Sequence, residues 1–180
     1  MTDKDMGVPT PAQAKQVAVV GRYLDPATAW AEVFSAEYVG LELAVACTTT
    51  ELETGGRSVY GADPASSWMN DGPFGTLWEQ PVTESNYKWF IGHVKAGAVS
   101  NGVGVKQLTS LSLLEAADAR GGAWQVQHNC AEGDRFFVEL LHQAGSLWAA
   151  FRDYNGSGPA ADAYANRAVA LVETWRARLA

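Results

Sequence analysis

The stretch Thr50-Glu51-Leu52-Glu53-Thr54-Gly55-Gly56-Arg57 ends a long apolar segment and organises the chain on both sides of it. Upstream, apolar residues recur at helical spacing on more than one face, which predicts a central, buried helix over about 36–54. The paired glycines can take the left-handed conformation that ends a helix. Glu51 and Glu53 lie about 200° apart around the helix axis. We therefore expect one carboxylate to face a groove and the other to face solvent or a salt bridge.

Capping residues predict further helices on either side of this stretch. Threonine, aspartate, serine or asparagine before an apolar periodic segment is typical of a helix start, and proline favours the first helical position. The first predicted helices cover about 11–23 and 26–34, and Ser35 caps the central helix that follows. Thr83 caps a helix over about 84–96, and the capping box from Ser112 to Glu115 starts a short helix that ends at Gly121. The last three helices cover 129–143, which Asn129 caps, 146–153, and Pro159 to the end.

The segment between residues 57 and 81 differs in pattern. Ser58-Val59-Tyr60 is strand-like and Asn70-Asp71-Gly72-Pro73 is a strong turn sequence, so we expect a small hairpin or irregular β lobe there. Residues 100–109 are a glycine-rich loop. The expected fold class is α+β, mostly α, in a single domain over 10–180 that follows a polar tail or linker over 1–9.

Composition bounds the function. The 180 residues are 47% hydrophobic with a net charge of −7, and no Lys/Arg cluster exists, so nucleic acid and anionic membrane surfaces are poor candidates as partners. No apolar run is long enough for a transmembrane helix, and residues 1–16 lack the apolar core of a signal peptide. The seven Trp are mostly expected in the core, although aromatic faces also line carbohydrate grooves.

Cysteine and histidine give little support for a disulfide or a metal site. Cys47 and Cys130 are far apart in sequence, and two buried thiols that behave as small hydrophobes are favoured over a disulfide. The three histidines follow no zinc-type spacing.

Three polar motifs stand between the helices: Glu53-Thr54-Gly55-Gly56, the loop Asn101-Gly102-Val103-Gly104-Val105-Lys106-Gln107-Leu108-Thr109, and Tyr154-Asn155-Gly156-Ser157-Gly158. In this order they resemble goose-type lysozymes and lytic transglycosylases, and further the muramidase or transglycosylase modules of actinobacteriophage endolysins. The resemblance covers about residues 50–180. It implies a lysozyme-like fold and cleavage of the β-1,4 bond between N-acetylmuramic acid and N-acetylglucosamine in peptidoglycan.

The resemblance places the catalytic acid at Glu53, because Glu53 directly precedes the small hydroxyl residue Thr54. The chemistry agrees, since cleaving a glycosidic bond requires a carboxylic acid that is still protonated near neutral pH. Desolvation at a helix end could raise the pKa of Glu53 in this way. An exposed helix-end carboxylate is the structural alternative.

A second carboxylate is required only by one version of the reaction. An inverting hydrolase needs a general base about 6.5–9.5 Å from the acid, and Asp63 and Asp71 are the candidates. Asp71 lies in a turn sequence, where aspartate often has only a structural role. Lytic transglycosylases use a single glutamate and yield a 1,6-anhydro product, and the sequence does not choose between the two outcomes.

The other two motifs predict residues that place the glycan. Gly104 lets the backbone approach a sugar, and the Gln107 amide offers both a donor and an acceptor. By resemblance, Tyr154 holds the catalytic glutamate or a sugar, and Asn155 fixes the turn or an N-acetyl group. Val105-Lys106 departs from the apolar or proline residues that many relatives have before the glutamine, which leaves substrate contacts at those two positions open.

We therefore expect a monomeric peptidoglycan glycosidase whose partner is the glycan strand of the bacterial cell wall. The resemblance implies no metal or cofactor, synthesis in the host cytoplasm without a signal peptide, and release to the wall through a holin-type pore. A non-catalytic wall-binding module or an inactive lysozyme-like relative is the alternative. A chitinase-like glycosidase is a third reading.

Overall fold

A computed structural model describes residues 7–180, so residues 1–6 of the expected tail lie outside the described part of the chain. Within it the fold is mostly helical. The α-helices are α1 Pro11–Val20, α2 Pro26–Val39, α3 Leu43–Thr54, α4 Glu84–Lys95, α5 Leu111–Asp118, α6 Val126–Ala144, α7 Leu147–Asn155 and α8 Pro159–Leu179, with one 3-10 helix at Pro64–Asn70.

Several helix starts follow the predicted caps. Thr10 and Thr83 each form a capping box with the residue three positions later, and the Asp25 side chain accepts from the Ala27 N–H with Pro26 at the first helical position. At the start of α7 the Ser146 side chain accepts from the Ala149 N–H. These starts are local, because the capping side chain and its partner lie within three residues of each other.

The predicted break at Ser35 is wrong. α2 continues to Val39 and ends at Gly40, which has a left-handed φ of 72°, and α3 begins only at Leu43. Ser35 is completely buried, and its hydroxyl donates to Asp134 Oδ2 at 2.5 Å. A tertiary partner thus satisfies the hydroxyl that could otherwise have capped a helix.

Two further caps were misplaced. α5 is capped by Ser110, whose side chain accepts from the Leu113 N–H, and the predicted capping serine Ser112 lies inside the helix. α6 begins at Val126, so the predicted cap Asn129 lies in its first turn. The Asn129 side chain is fully buried and contacts the glycine-rich loop.

The predicted hairpin does not form as two paired strands within residues 7–180. The segment between α3 and α4 instead has isolated bridges, in which Val59 pairs with Pro81 and Tyr60 pairs with Trp78 and Val103. The turn sequence Asn70-Asp71-Gly72-Pro73 begins at the last residue of the 3-10 helix. The small lobe is therefore irregular and is fastened to the glycine-rich loop through Tyr60.

Two main apolar clusters form the core. The larger one joins α1, α2, α3, α6, α7 and α8 and contains Phe137, Phe151 and Trp175. The second lies under the irregular segment, α4 and α5 and contains Tyr60, Phe90 and Leu114. α3 carries an unbroken buried run over residues 44–50, so it is the central helix that the sequence predicts, although shorter at its start.

Two remaining predictions concern the cysteines and the length of the apolar segments. Cys47 and Cys130 are both buried and free, as predicted. No helix among residues 7–180 is both long and apolar enough to cross a membrane.

Candidate active site

Glu53 lies in the last turn of α3 and borders an open cleft. Its helix ends at Gly55, whose left-handed φ of 63° redirects the chain into the small lobe. Desolvation by burial raises the pKa of the Glu53 carboxyl, while a hydrogen bond from Tyr164 and the charge of Lys106 oppose the rise. A carboxyl whose pKa is raised holds its proton to higher pH than an exposed glutamate does, which suits it to act as a general acid.

Tyr164 is a site residue that the sequence did not reveal. Its hydroxyl donates to Glu53 Oε1 at 2.7 Å from the first part of α8, although the two residues are far apart in sequence. In the sequence it belongs to the apolar stripe of the last helix, and it is 4% exposed. The sequence offers one indication of this role, because a tyrosine on a buried helix face needs a hydrogen-bond partner for its hydroxyl.

Glu51 points elsewhere, as the helical spacing predicts. Its Oε2 lies 2.9 Å from Nη1 of Arg178 near the end of α8. The Arg178 guanidinium also lies over the rings of Tyr23 and Trp175. Glu51 therefore ties α3 to α8, and Glu53 is the carboxylate of this pair that borders the cleft.

The cleft has a volume of about 580 Å³ and lies where α3 and α7 meet the small lobe and the glycine-rich loop. This is large enough for part of a sugar chain. Its walls bring together all three sequence motifs. The lining residues are Glu53, Gly61, Ala62, Asp63, Asn101, Gly102, Lys106, Gln107, Leu108, Thr109, Ser110, Leu113, Phe136, Tyr154 and Asn155.

The glycine-rich loop is held in shape by side-chain amides. Gln107 has a left-handed φ of 49°, and its Nε2 donates to the carbonyls of Val59 and Gly104. A Cβ at Gly102 would lie 2.2 Å from Gln107 Oε1. Gln107 therefore borders the cleft as expected, but its two amide hydrogens are used to fold the loop.

Gly104 packs against Asn129 of α6, which leaves no room for a side chain. Its φ is 76°, and a Cβ there would lie 2.3 Å from Asn129 Nδ2. That nitrogen donates to the Val103 carbonyl, and Asn129 Oδ1 accepts from the Lys106 N–H at 2.9 Å. Gly104 does not line the cleft, so it acts on the site by letting α6 hold the loop.

Tyr154 and Asn155 end α7 beside the cleft. The Tyr154 hydroxyl donates to the Lys106 carbonyl at 2.8 Å, and its ring packs on Phe136 and Phe137. It therefore supports the loop, and Tyr164 is the tyrosine that contacts Glu53. Asn155 is exposed at the cleft edge, where its amide can reach a ligand.

The structure separates the two aspartates that the sequence left open. Asp63 lines the cleft, and its Oδ1 accepts from the Ala65 N–H at 2.9 Å as the cap of the 3-10 helix. Asp71 follows the other end of that helix and does not line the cleft. Its backbone N–H donates to the Trp68 carbonyl, in keeping with a role in the turn.

Among residues 7–180 no group of three or more His, Cys, Asp or Glu side chains is arranged to hold a metal ion. Comparison of the chain with protein-family models, with curated proteins and with solved structures finds no match.

Proposed function

We propose that this chain is a peptidoglycan glycosidase with a lysozyme-like arrangement and that Glu53 is its general acid. The observation that carries the proposal is the position of Glu53: a partly buried carboxyl with a raised pKa, held by Tyr164, on the wall of a cleft lined by the three motifs. Substrate class comes from the resemblance of those motifs to lysozymes and lytic transglycosylases.

In the proposed reaction a glycan strand lies along the cleft with its scissile oxygen beside Glu53. The protonated carboxyl gives its proton to that oxygen as the bond to the anomeric carbon breaks. Tyr164 then stabilises the resulting carboxylate by donating to Oε1. When the nucleophile is the 6-hydroxyl of the muramyl sugar, the same carboxylate next takes the hydroxyl proton as the oxygen bonds to the anomeric carbon.

The nucleophile is either water or the 6-hydroxyl of the muramyl sugar. Asp63 is the other carboxylate among the described residues that line the cleft, so it is the candidate base for the water reaction. Because Asp63 is exposed and already caps a helix, we favour the route in which Glu53 acts alone and an anhydro-sugar is formed.

The test is the release of soluble fragments from purified bacterial cell walls by wild-type protein and by Glu53→Gln. The amide has nearly the same shape and cannot donate a carboxylic proton, so we expect release to fall by a factor of at least about 100. Glu51→Gln is the matched control, because it removes a carboxylate from the same turn of α3. Wild-type release by Glu53→Gln would refute the assignment, and mass spectrometry of the fragments identifies the bond and the product.

A non-catalytic wall-binding module is the second candidate. It is supported by Asn155, whose exposed amide at the cleft edge can bind a glycan without any acid. Wall binding by the wild type without reducing ends or anhydro-sugars in the supernatant would support this reading over the enzyme.

A further inference from the structure

A lysine of the glycine-rich loop is buried under the cleft. The side chain of Lys106 is 0% exposed, and its Nζ lies 2.6 Å from Asp134 Oδ1 and 3.1 Å from Glu32 Oε1, two carboxylates that are also 0% exposed. Nζ donates as well to the Ala46 carbonyl and to Thr49 Oγ1, each at 2.8 Å. The ammonium group therefore bonds to α2, α3 and α6 together.

The helical core is shaped to admit this side chain. A Cβ at Gly133 of α6 would lie 2.5 Å from Lys106 Cβ, so a larger residue there would displace the lysine. The carboxylates have further partners, since Ser35 donates to Asp134 and Thr50 donates to Glu32, each at 2.5 Å. The network is built into the fold and is not an incidental ion pair.

The backbone of the same residue holds the cleft wall. The Lys106 N–H donates to Asn129 of α6, and its carbonyl accepts from Tyr154 of α7. The preceding carbonyl, of Val105, accepts from Thr54 Oγ1 at 3.2 Å. Because Thr54 follows Glu53 directly, the end of α3 and the loop are fixed to each other at the acid.

The charge of Lys106 also acts on Glu53. It lowers the pKa of the Glu53 carboxyl, against the larger effect of desolvation. Burial by itself would lower the pKa of Lys106, but the charges of Asp134 and Glu32 raise it well above its usual range, so the lysine stays a cation. Removing or strengthening this cation should therefore move the titration of Glu53.

Other titratable groups surround the two residues. Glu53 faces Tyr164 of α8 and lies close enough to Tyr154 of α7 for its charge to raise the tyrosine's pKa. Around Lys106 the remaining groups are the thiols of Cys47 on α3 and Cys130 on α6, whose pKa values burial raises well above the usual range. Both thiols are therefore neutral near pH 7, and Lys106 is the cation of this network.

We propose that Lys106 is a positioning residue for Glu53: its buried side chain anchors the cleft loop to α2, α3 and α6, the loop bonds to Thr54 beside the acid, and a buried cation is thereby held under the cleft that Glu53 borders. The inference rests on the proposed role of Glu53 as the acid. It gives a defined role to a residue that borders the cleft without presenting its side chain to a ligand.

The experiment is an NMR titration of protein carrying ¹³C-labelled glutamate carboxyl groups. The Glu53 signal is assigned by its loss in Glu53→Gln. We expect Lys106→Met to move the Glu53 titration to higher pH by about one unit, because a nearby opposite charge is lost. Lys88→Met is the matched control, since it removes an exposed lysine whose ion pair with Glu84 lies on α4, and it should leave the titration in place.

Asp134→Asn should move the Glu53 titration in the opposite direction from Lys106→Met. It keeps Lys106 and removes the negative charge nearest to Nζ, so the cation is less neutralised and the Glu53 titration should move to lower pH. A purely structural role would not reverse the direction between the two variants. If Lys106→Met fails to fold, Asp134→Asn decides alone, because Lys106 keeps its bonds to Glu32, Ala46 and Thr49. An unmoved Glu53 titration in the folded variants would overturn the proposal.

This outcome is separable from that of the proposed function, because the titration needs no substrate. Wild-type protein that releases no fragments from cell walls would refute the glycosidase and leave the link between Lys106 and Glu53 standing. If the wild type is active but Glu53 titrates at the same pH in the wild type, Asp134→Asn and Lys106→Met, the link between Lys106 and Glu53 is refuted and the glycosidase assignment stands.

Discussion

At the scale of single residues, the protonation of Glu53 depends on one effect that raises its pKa and two that lower it. Burial favours the neutral acid, while the Tyr164 hydroxyl and the Lys106 charge favour the carboxylate. A general acid that later acts as a base needs both forms to be accessible near the working pH. The balance among burial, Tyr164 and Lys106 therefore decides the pH range in which the proposed chemistry can operate.

Tyr164→Phe removes one of the two lowering contacts. Because the hydroxyl donates to the carboxylate, its loss should raise the pKa of Glu53 and move the alkaline limit of the activity profile to higher pH by about half a unit to one unit. The profile is measured as initial fragment release across pH 4–9. Tyr23→Phe is the control, since Tyr23 lies against Trp175 and Arg178. An alkaline limit that moves to lower pH would contradict the expected sign.

Glu32 predicts a pH dependence of stability. Desolvation raises its pKa from 4.5 to about 7, against the charge of Lys106. Between these values the folded state holds a proton that the unfolded state has lost, so stability falls as pH rises through this window. The free energy of unfolding should decrease by about 1–3 kcal/mol more in the wild type than in Glu32→Gln between pH 4.5 and 7.

Urea unfolding at several pH values measures this difference. Glu37→Gln is a suitable control, because Glu37 is an exposed residue on the same helix, α2. Parallel pH profiles for the wild type and Glu32→Gln would show that Glu32 titrates normally in the folded protein.

The sequence predicts the environment of a single residue correctly where that environment depends on neighbouring residues in the chain. The opposite directions of Glu51 and Glu53 follow from the turn angle of a helix, and the salt bridge from Glu51 to Arg178 confirms the expectation. The contact from Tyr164 to Glu53 joins residues 111 positions apart. Nothing local distinguishes that tyrosine from its neighbours in an apolar stripe.

At the scale of elements, helix ends were predicted where the cap is made by neighbouring residues and missed where a distant partner competes. Thr10, Asp25 and Thr83 cap as predicted. Ser35 and Asn129 have equally good capping side chains, but each is buried and bonds across the core, to Asp134 and to the loop. A polar side chain on a buried helical face therefore indicates a tertiary contact more than a helix start.

The end of α2 supplies an element-scale prediction. Gly40 has a left-handed φ of 72° with no atom within 4 Å of an added Cβ, so strain alone should make Gly40→Ala destabilising by about 1 kcal/mol. Gly92 lies inside α4, also with open space, and Gly92→Ala should stabilise by roughly 0.5–1 kcal/mol. Thermal unfolding of both variants tests this. Shifts of the same sign would disprove the backbone explanation.

At the scale of the whole molecule, the cleft lies between two separately packed cores. α3 brings Glu53 from the helical core, and the irregular segment that follows it brings Asp63 from the small lobe. The sequence placed these motifs in order along the chain, and the fold brings them to one cleft. It could not show that Asp71, only eight residues after Asp63, falls outside that cleft, because the intervening 3-10 helix has no clear periodic signature.

The separation of the two aspartates predicts how the reaction ends. Asparagine caps helices about as well as aspartate, so Asp63→Asn removes the charge at the cleft and still accepts the hydrogen bond from the Ala65 N–H. If Glu53 acts alone, Asp63→Asn should release fragments within about tenfold of the wild-type rate, and the fragments should carry 1,6-anhydro ends. Asp71→Asn, outside the cleft, is the matched control. A loss of about 10²–10⁴-fold confined to Asp63→Asn, with reducing ends in the wild-type products, would instead identify Asp63 as the base of an inverting hydrolase.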